Sequence, residues 1–428
     1  MRKLARLAAV ILAAAMTVGL SSCDSGNQPA VTEETTTVTT VATTAETTVS
    51  ETTTEKQTET EKETETEAEE ETSFVPPEGE VPKIDDVYEK NFSVGLSVTN
   101  ADLWYPEKQA VLTGYFNSMT MGNEMKPDSI LDYAACSADP EKYNECPAVH
   151  FDNAKIGLDF AKENGIPMRG HTLVWHQQTP KWFFKENYSK DADAPFVSKE
   201  LMLKRLENYI RQVMEYTNEN YPGVIYCWDV VNEAINLGDG QENGYRTKDS
   251  MWYQVCGEEY VEKAFEYARK YAAPDVKLFY NDFNTYETPK TIAICNMVEK
   301  IKAQGNIDGI GMQSHVTLSY PSVMDYEAAV TRFGKLGLEI QVTELDMANY
   351  EQDFEKQASK YKRLFNILKT CDESGKADVT NVTIWGVSDE QSWLDNGKGQ
   401  AYALLFDMYL NPKSAYYGAI GDESIPLF

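Results

Sequence analysis

Hydrophobic positions along this chain fall into two regimes. Up to about residue 80 they are sparse, apart from one apolar run at Leu7–Leu20. Beyond it, short blocks of Val, Ile and aromatic residues alternate with longer stretches of helical period. The blocks predict strands at Phe92–Val98, Phe116–Thr120, Ile166–Val174, Val224–Val231, Lys277–Asn281, Ile307–Gln313, Leu338–Thr343 and Val382–Val387. Such nearly continuous apolar runs suit parallel strands buried on both faces. Between them, Leu203, Leu206, Ile210 and Val213 keep one helical face, as do Val261, Phe265 and Ala268, and Tyr361, Leu364, Phe365 and Leu368. Gly165, Gly223, Gly305 and Gly337 each separate such a helix from the next strand, where a helix-ending glycine is expected.

Eight strands alternating with helices predict an α/β fold, a (β/α)8 barrel, over residues 81–428. A doubly wound open sheet gives the same alternation. It is disfavoured because no Gly-rich phosphate loop follows any strand.

Composition explains the N-terminal regime. Residues 24–80 hold sixteen Asp or Glu against two Lys, and eighteen Thr fall between Val31 and Ser73. With almost nothing to bury, this stretch is expected to be a disordered spacer, extended by its own charge. It accounts for −14 of the chain's net −29, and residues 1–23 add +3. The remaining −18 argues against nucleic acid or an anionic membrane surface as the ligand. Arg2, Lys3 and Arg6 before the apolar run read as an export signal, too short for a comfortable span. The run ends in Leu20-Ser21-Ser22-Cys23, a lipoprotein-type cleavage site with Cys23 as the lipidated residue. The expectation is export to the outer face of a bacterial membrane, with a lipid anchor as the only membrane contact. Of seven cysteines, Cys136 and Cys146 share a polar loop and are close enough in sequence to pair, while Cys227, Cys256, Cys295 and Cys371 read as buried small residues.

Candidate chemistry collects at the C-terminal ends of the expected strands, where barrel enzymes carry their working groups. Strand three runs into Arg169–Gln178, strand four ends Trp228-Asp229-Val230-Val231-Asn232-Glu233-Ala234, and strand five ends Tyr280-Asn281-Asp282. Strand six ends Gln313-Ser314-His315, strand seven Thr343-Glu344-Leu345-Asp346, and strand eight carries Trp385 with Trp393 after it. Three of the four histidines, His171, His176 and His315, are in this set. Taken singly, a glutamate here is usually solvated and a tryptophan is usually core. The joint pattern at six strand ends is not explained that way. Glu233 and Glu344 are the natural pair for glycoside hydrolysis, one carboxyl protonated beside the leaving oxygen and the other ionised beneath the anomeric carbon. Asn232 is expected at the sugar 2-hydroxyl, His315 against Glu344 with Asp346 orienting it, and Trp175, Trp385 and Trp393 as apolar faces for sugar rings. A metal site is disfavoured because His171 and His176 face opposite ways on an extended segment, and no cofactor is expected.

These motifs, with Gly309–His315 and Trp385-Gly386-Val387-Ser388-Asp389, resemble glycoside hydrolase family 10, the retaining endo-β-1,4-xylanases. The likeness covers residues 85–428. It implies Glu233 as acid/base and Glu344 as nucleophile. It implies a glycone side lined by Asn123, Lys126, His171, Trp175, Gln178, Asn232, Gln313, His315, Trp385 and Trp393. The implied partners are xylan and xylooligosaccharides, met by a monomeric catalytic domain. One departure stands out. Where the family reads Glu-Asn-Glu-Met-Lys-Trp, this chain reads Gly122-Asn123-Glu124-Met125-Lys126-Pro127. The missing glutamate is expected to weaken one glycone subsite and leave the reaction intact. The rival readings are another β-1,4-glycanase, acting on cellulose or mixed-linkage glucan, and a catalytically dead polysaccharide-binding lipoprotein.

Overall fold

The computed structural model describes residues 79–395, 397 and 399–428. The expected export signal at 1–23, Cys23 and all but the last two residues of the expected spacer lie outside them. No helix among the described residues is long and apolar enough to cross a membrane.

Eight parallel strands close on themselves. They are β1 (Ser93–Val98), β2 (Ser118–Met121), β3 (Met168–Trp175), β4 (Ile225–Asn232), β5 (Lys277–Asp282), β6 (Gly309–Met312), β7 (Glu339–Ala348) and β8 (Asp378–Ile384). Each pairs with the next in sequence, β6 joining β7 from Gly309↔Glu339 and β8 returning to β1 from Ser93↔Asn381. The connecting helices are α1 (Pro106–Tyr115), α2 (Asp152–Asn164), α3 (Lys199–Asn220), α4 (Glu259–Tyr271), α5 (Thr288–Ala303), α6 (Val323–Gly334) and α7 (Phe354–Glu373), with α8 (Ser414–Ala419) after β8. This is the (β/α)8 barrel that the alternation predicts.

Local rules account for the joints. Gly165 ends α2 in the left-handed region at φ 66°, where a Cβ is costly. Ser198 caps α3 by accepting from Leu201 N at 3.3 Å. The α3 face turned to the barrel is Met202, Leu206, Tyr209, Ile210 and Val213, and Leu203 falls at its edge rather than in the stripe.

Three expectations need correction. β8 begins at Asp378 and stops at Ile384, displaced from the expected Val382–Val387. Its first half is polar because Thr380 and Asn381 serve hydrogen bonds: Thr380 Oγ1 accepts from Gln341 Nε2 at 3.1 Å, and Asn381 Nδ2 donates to Ser118 Oγ at 2.9 Å. Gly386, at φ 140°, then carries the chain out of the sheet. β7 runs on to Ala348, so Glu344 and Asp346 lie inside a strand rather than past its end. Cys136 and Cys146 are both free: Cys136 Sγ accepts from Ala148 N at 3.2 Å, while Cys146 Sγ faces Arg211 Nη2 at 3.6 Å.

The barrel interior is unusually polar under the rim. Arg169 and Asp229, both fully buried, form a bidentate pair at 2.9 and 2.6 Å. Arg169 Nε also donates to Gln341 Oε1 at 2.7 Å. Burial alone would raise the Asp229 carboxyl, but the Arg169 charge and the His171 and Arg169 hydrogen bonds hold it below its ordinary value. Removing one partner of such a pair costs about 3–5 kcal/mol, so the arrangement fixes the floor of the site above it. Gly170 lets Trp228 pack beside this pair, since a Cβ there would lie 2.3 Å from the indole.

Candidate active site

Glu233 follows the last residue of β4 and takes a left-handed backbone at φ 60°, uncommon for a residue with a side chain. Two bonds hold it there. Its N–H donates to Asn281 O at 2.9 Å, and its carbonyl accepts from Arg246 Nε at 2.9 Å. The turn leaves the carboxyl buried, with Oε1 accepting from Gln313 Nε2 at 3.0 Å and Oε2 3.8 Å from His176 Nδ1. Burial pushes the Glu233 carboxyl up, helped by the Asp282 charge, and outweighs the Gln313 and Trp175 hydrogen bonds.

Glu344 sits on β7 with the opposite balance. Its Oε1 accepts from Asn281 Nδ2 at 2.7 Å and its Oε2 lies 3.3 Å from His315 Nε2. His315 Nδ1 is 3.0 Å from Asp346 Oδ1, and Asp346 Oδ2 accepts from Trp393 Nε1 at 2.7 Å. Burial would lower the imidazole pKa, but the Asp346 charge and the Asp346 and Glu344 contacts push it up to about 10. His315 is therefore an imidazolium at neutral pH, donating from both nitrogens. Burial by itself would raise Glu344, yet the electrostatic pull of His171, the His315 hydrogen bond and charge, and Lys126 hold it below its ordinary value. Two buried carboxyls in one cleft are thus driven apart, the arrangement that separates a proton donor from an anionic nucleophile.

Side-chain amides join the pair. Asn232 Oδ1 accepts from Asn281 Nδ2 at 2.9 Å and from Gln313 Nε2 at 3.3 Å, so Glu233, Gln313, Asn232, Asn281 and Glu344 form one chain of contacts. β6 makes this possible by breaking after Met312. Ser314 takes φ 66°, and the strand resumes as His315–Thr317 against Asp346–Ala348. Gln313 then reaches Glu233 while His315 reaches Glu344.

The remaining expected residues line the same cleft mouth. Lys126, buried, lies 4.9 Å over the Trp175 ring and 3.2 Å from Asn123 Oδ1; burial lowers its pKa against the pull of Glu344. Gln178, half-buried, approaches Asn123 Oδ1 at 3.5 Å and Asp128 Oδ2 at 3.4 Å. The His171 ring meets Trp385 edge-on at 5.4 Å, with its Nδ1 2.9 Å from Asp229. Trp393, anchored through Nε1 to Asp346, still stands 59 % exposed at the rim. Gly122 is buried, and a Cβ there would make ordinary contacts with Ser97 Oγ at 3.5 Å and Thr99 Cγ2 at 3.6 Å, so the backbone would accept a side chain without a clash.

Three participants carry no role in the sequence reading. Asn281 contacts Glu344 directly; its signal is a lone amide ending the apolar run Leu278-Phe279-Tyr280. His176 lies between Glu233 and Asp249, 3.8 Å from each, and burial with the Arg246 and Lys290 charges pushes its pKa down to about 3. Arg246 comes from an irregular loop with no pattern to flag it. Among the described residues, no group of three His, Cys, Asp or Glu side chains is placed to hold a metal ion.

Comparison with known proteins follows the same lines. The family model for glycosyl hydrolase family 10 matches residues 83–421. Endo-1,4-beta-xylanase B of Butyrivibrio fibrisolvens is 43% identical over 347 residues, covering 79% of this chain and 53% of that protein. A putative endo-1,4-beta-xylanase of Caldicellulosiruptor saccharolyticus is 44% identical over 307 residues, covering 68% of this chain and 95% of that protein. The chain thus spans about half the length of the Butyrivibrio relative. Among solved structures, the CBM22-1–GH10 modules of Clostridium thermocellum xylanase 10B, complexed with xylohexaose, superpose with a TM-score of 0.73 at 34% identity. That match covers 80% of this chain and 67% of the other.

Proposed function

The chain belongs to glycosyl hydrolase family 10, and on that footing we propose that it is an endo-1,4-β-xylanase that cleaves internal xylosidic bonds with retention of configuration. The observation that carries the reading is the pair of buried carboxyls on one cleft, Glu233 bonded to Gln313 and Glu344 set between Asn281 and His315, with surroundings that raise the pKa of the first and lower that of the second. In the proposed mechanism Glu344 Oε attacks the anomeric carbon while Glu233 gives its proton to the departing oxygen. A glycosyl ester forms, and the shortened chain leaves. Glu233, now ionised, takes a proton from water, which attacks the same carbon from the face the leaving group vacated. Two inversions give net retention. His315 keeps Glu344 anionic, and Asn232 receives the 2-hydroxyl. Lys126, His171, Trp175, Gln178, Gln313, Trp385 and Trp393 grip the glycone side with Asn123.

The substrate is assigned to xylan because a glucose ring carries a hydroxymethyl group that Trp385 and Trp393 would crowd. Product analysis tests this. Xylan should yield short xylooligosaccharides whose new reducing ends first appear as the β anomer by proton NMR, and soluble cellulose derivatives should be cut at least tenfold more slowly. Initial α anomer would refute retention, and comparable cellulose turnover would refute the substrate.

We further propose that the enzyme is exported and held by a lipid on Cys23, with residues 24–80 as spacer and the barrel working as a monomer. Support comes from the basic-then-apolar pattern ending in Leu20-Ser21-Ser22-Cys23 and from the Thr/Glu composition that follows. Labelled palmitate should enter the full chain and be lost in Cys23→Ala; equal labelling of both would rule the anchor out.

A further inference from the structure

On the outer flank of the barrel rim, the segment after β1 and the long excursion after β8 meet at a cleft of about 290 Å³. Its walls are Tyr105, Met408 and Tyr409, and its polar lining is Glu107, Lys108 and Glu390. Tyr105 is 50 % exposed and Tyr409 75 %, with Met408 at 51 % and neighbouring Trp104 at 69 %. Large apolar groups clustered this way on a rim mark contact surfaces.

The cleft is built, not incidental. Lys108 is buried, yet it holds Asp102 Oδ1 at 3.0 Å and Glu390 Oε2 at 2.9 Å, tying the two loops together. Asp102 in turn accepts from Thr99 N and Oγ1 at 2.9 and 2.8 Å, which fixes the turn presenting Trp104 and Tyr105. Across the cleft, Asp407 Oδ1 accepts from Tyr409 N and Asn411 N, both at 2.8 Å, and Phe406 bridges Pro412. That tight hairpin holds Tyr409 out into solvent. None of these residues serves Glu233 or Glu344.

We propose that this cleft is a second binding site for a neutral β-linked polysaccharide, taking a stretch of xylan outside the catalytic cleft. The aromatic faces match the apolar C–H faces of pyranose rings, and carboxylates between them accept hydrogen bonds from paired hydroxyls. Glu107 and Glu390 face one already-paired ammonium, a balance that repels phosphates and other polyanions. Glu390 belongs to the loop running from Trp385 to Trp393, so one loop contributes both to this cleft and to the rim of the catalytic site. The polymer's identity rests on the function proposed above.

The test uses the full chain. In a Glu344→Ala background, Tyr105→Ala/Tyr409→Ala should bind insoluble arabinoxylan about fivefold more weakly in a depletion assay, while Tyr409→Phe, which keeps the ring, binds like its parent. In the active background the double variant should turn over an aryl β-xylobioside within twofold of the parent. Unchanged arabinoxylan binding overturns the proposal. So does an equal loss on the aryl substrate, which would put both tyrosines in the catalytic cleft. A concentration-dependent dimer by sedimentation, dissolved by the double variant with xylan binding intact, would assign the surface to a second copy instead. Whether the parent cleaves xylan is scored separately, so a failure of the activity is not mistaken for a failure of the cleft.

Discussion

Glu344→Ala should lower turnover of xylan and of aryl xylosides alike by about a hundred-thousandfold, the scale seen when a covalent nucleophile is removed. Both substrates must form the same bond to Glu344, so leaving-group quality offers no escape. Binding should survive. Asn281 and His315 hold the carboxylate from the barrel side, at 2.7 and 3.3 Å, and the aromatic and amide groups that grip sugar are elsewhere. Calorimetry with xylotetraose should therefore give a dissociation constant within a few-fold of the parent. The small cavity left beside an imidazolium should admit azide or formate, which should restore turnover of an activated aryl substrate and give a product of inverted configuration. Substantial xylan hydrolysis by the variant without added anion would remove Glu344 from the mechanism.

Glu233→Ala should separate the two half-reactions. A natural xylosidic oxygen is a poor leaving group and needs a proton, so its cleavage should slow by about a thousandfold. A dinitrophenyl leaving group needs no proton, and formation of the glycosyl ester should slow by no more than about tenfold. Hydrolysis of that ester still lacks a base, so the intermediate should accumulate, with a burst of phenolate and a lowered KM. The pH profile gives a second readout. Activity needs Glu344 ionised and Glu233 protonated. It should rise through the lowered Glu344 pKa on the acid side and fall through the raised Glu233 pKa on the alkaline side. Glu233→Ala should keep the acid limb and lose the alkaline one. Equal losses on natural and activated substrates, or an unmoved alkaline limb, would refute the acid/base role.

Alternation makes the barrel legible in the sequence, and strand-end chemistry singles out Glu233 and Glu344, which the fold brings to one cleft. Buried parallel strands announce themselves as unbroken apolar runs, and Val230-Val231 before Asn232-Glu233 is such a run ending in chemistry. Legibility failed where polarity did structural work. Thr380 and Asn381 look like loop residues, yet they are strand residues whose side chains pair inside the barrel. Leu345, enclosed on β7, sits between Glu344 and Asp346, and that polar interruption hid the continuation of the strand. The role of His176, which the sequence only groups with the other strand-end residues, and the involvement of Arg246 are hidden for another reason. Their importance lies in proximity to Glu233, set by the left-handed turn at that residue and by an irregular loop, and neither has a periodicity.

The break in β6 couples the surroundings of the two carboxyls. Within three consecutive positions, Gln313 touches one carboxyl and His315 the other, while Gln313 O also accepts from Glu344 N at 3.0 Å. A displacement of that tripeptide moves the donor to one acid and the cation beside its counterpart in the same stroke. Under the proposed mechanism, the acid and alkaline edges of the working range are mechanically geared here. A backbone shift in this segment then moves both edges together, and independent adjustment comes from side chains touching only one side, such as Arg246 or Asp346.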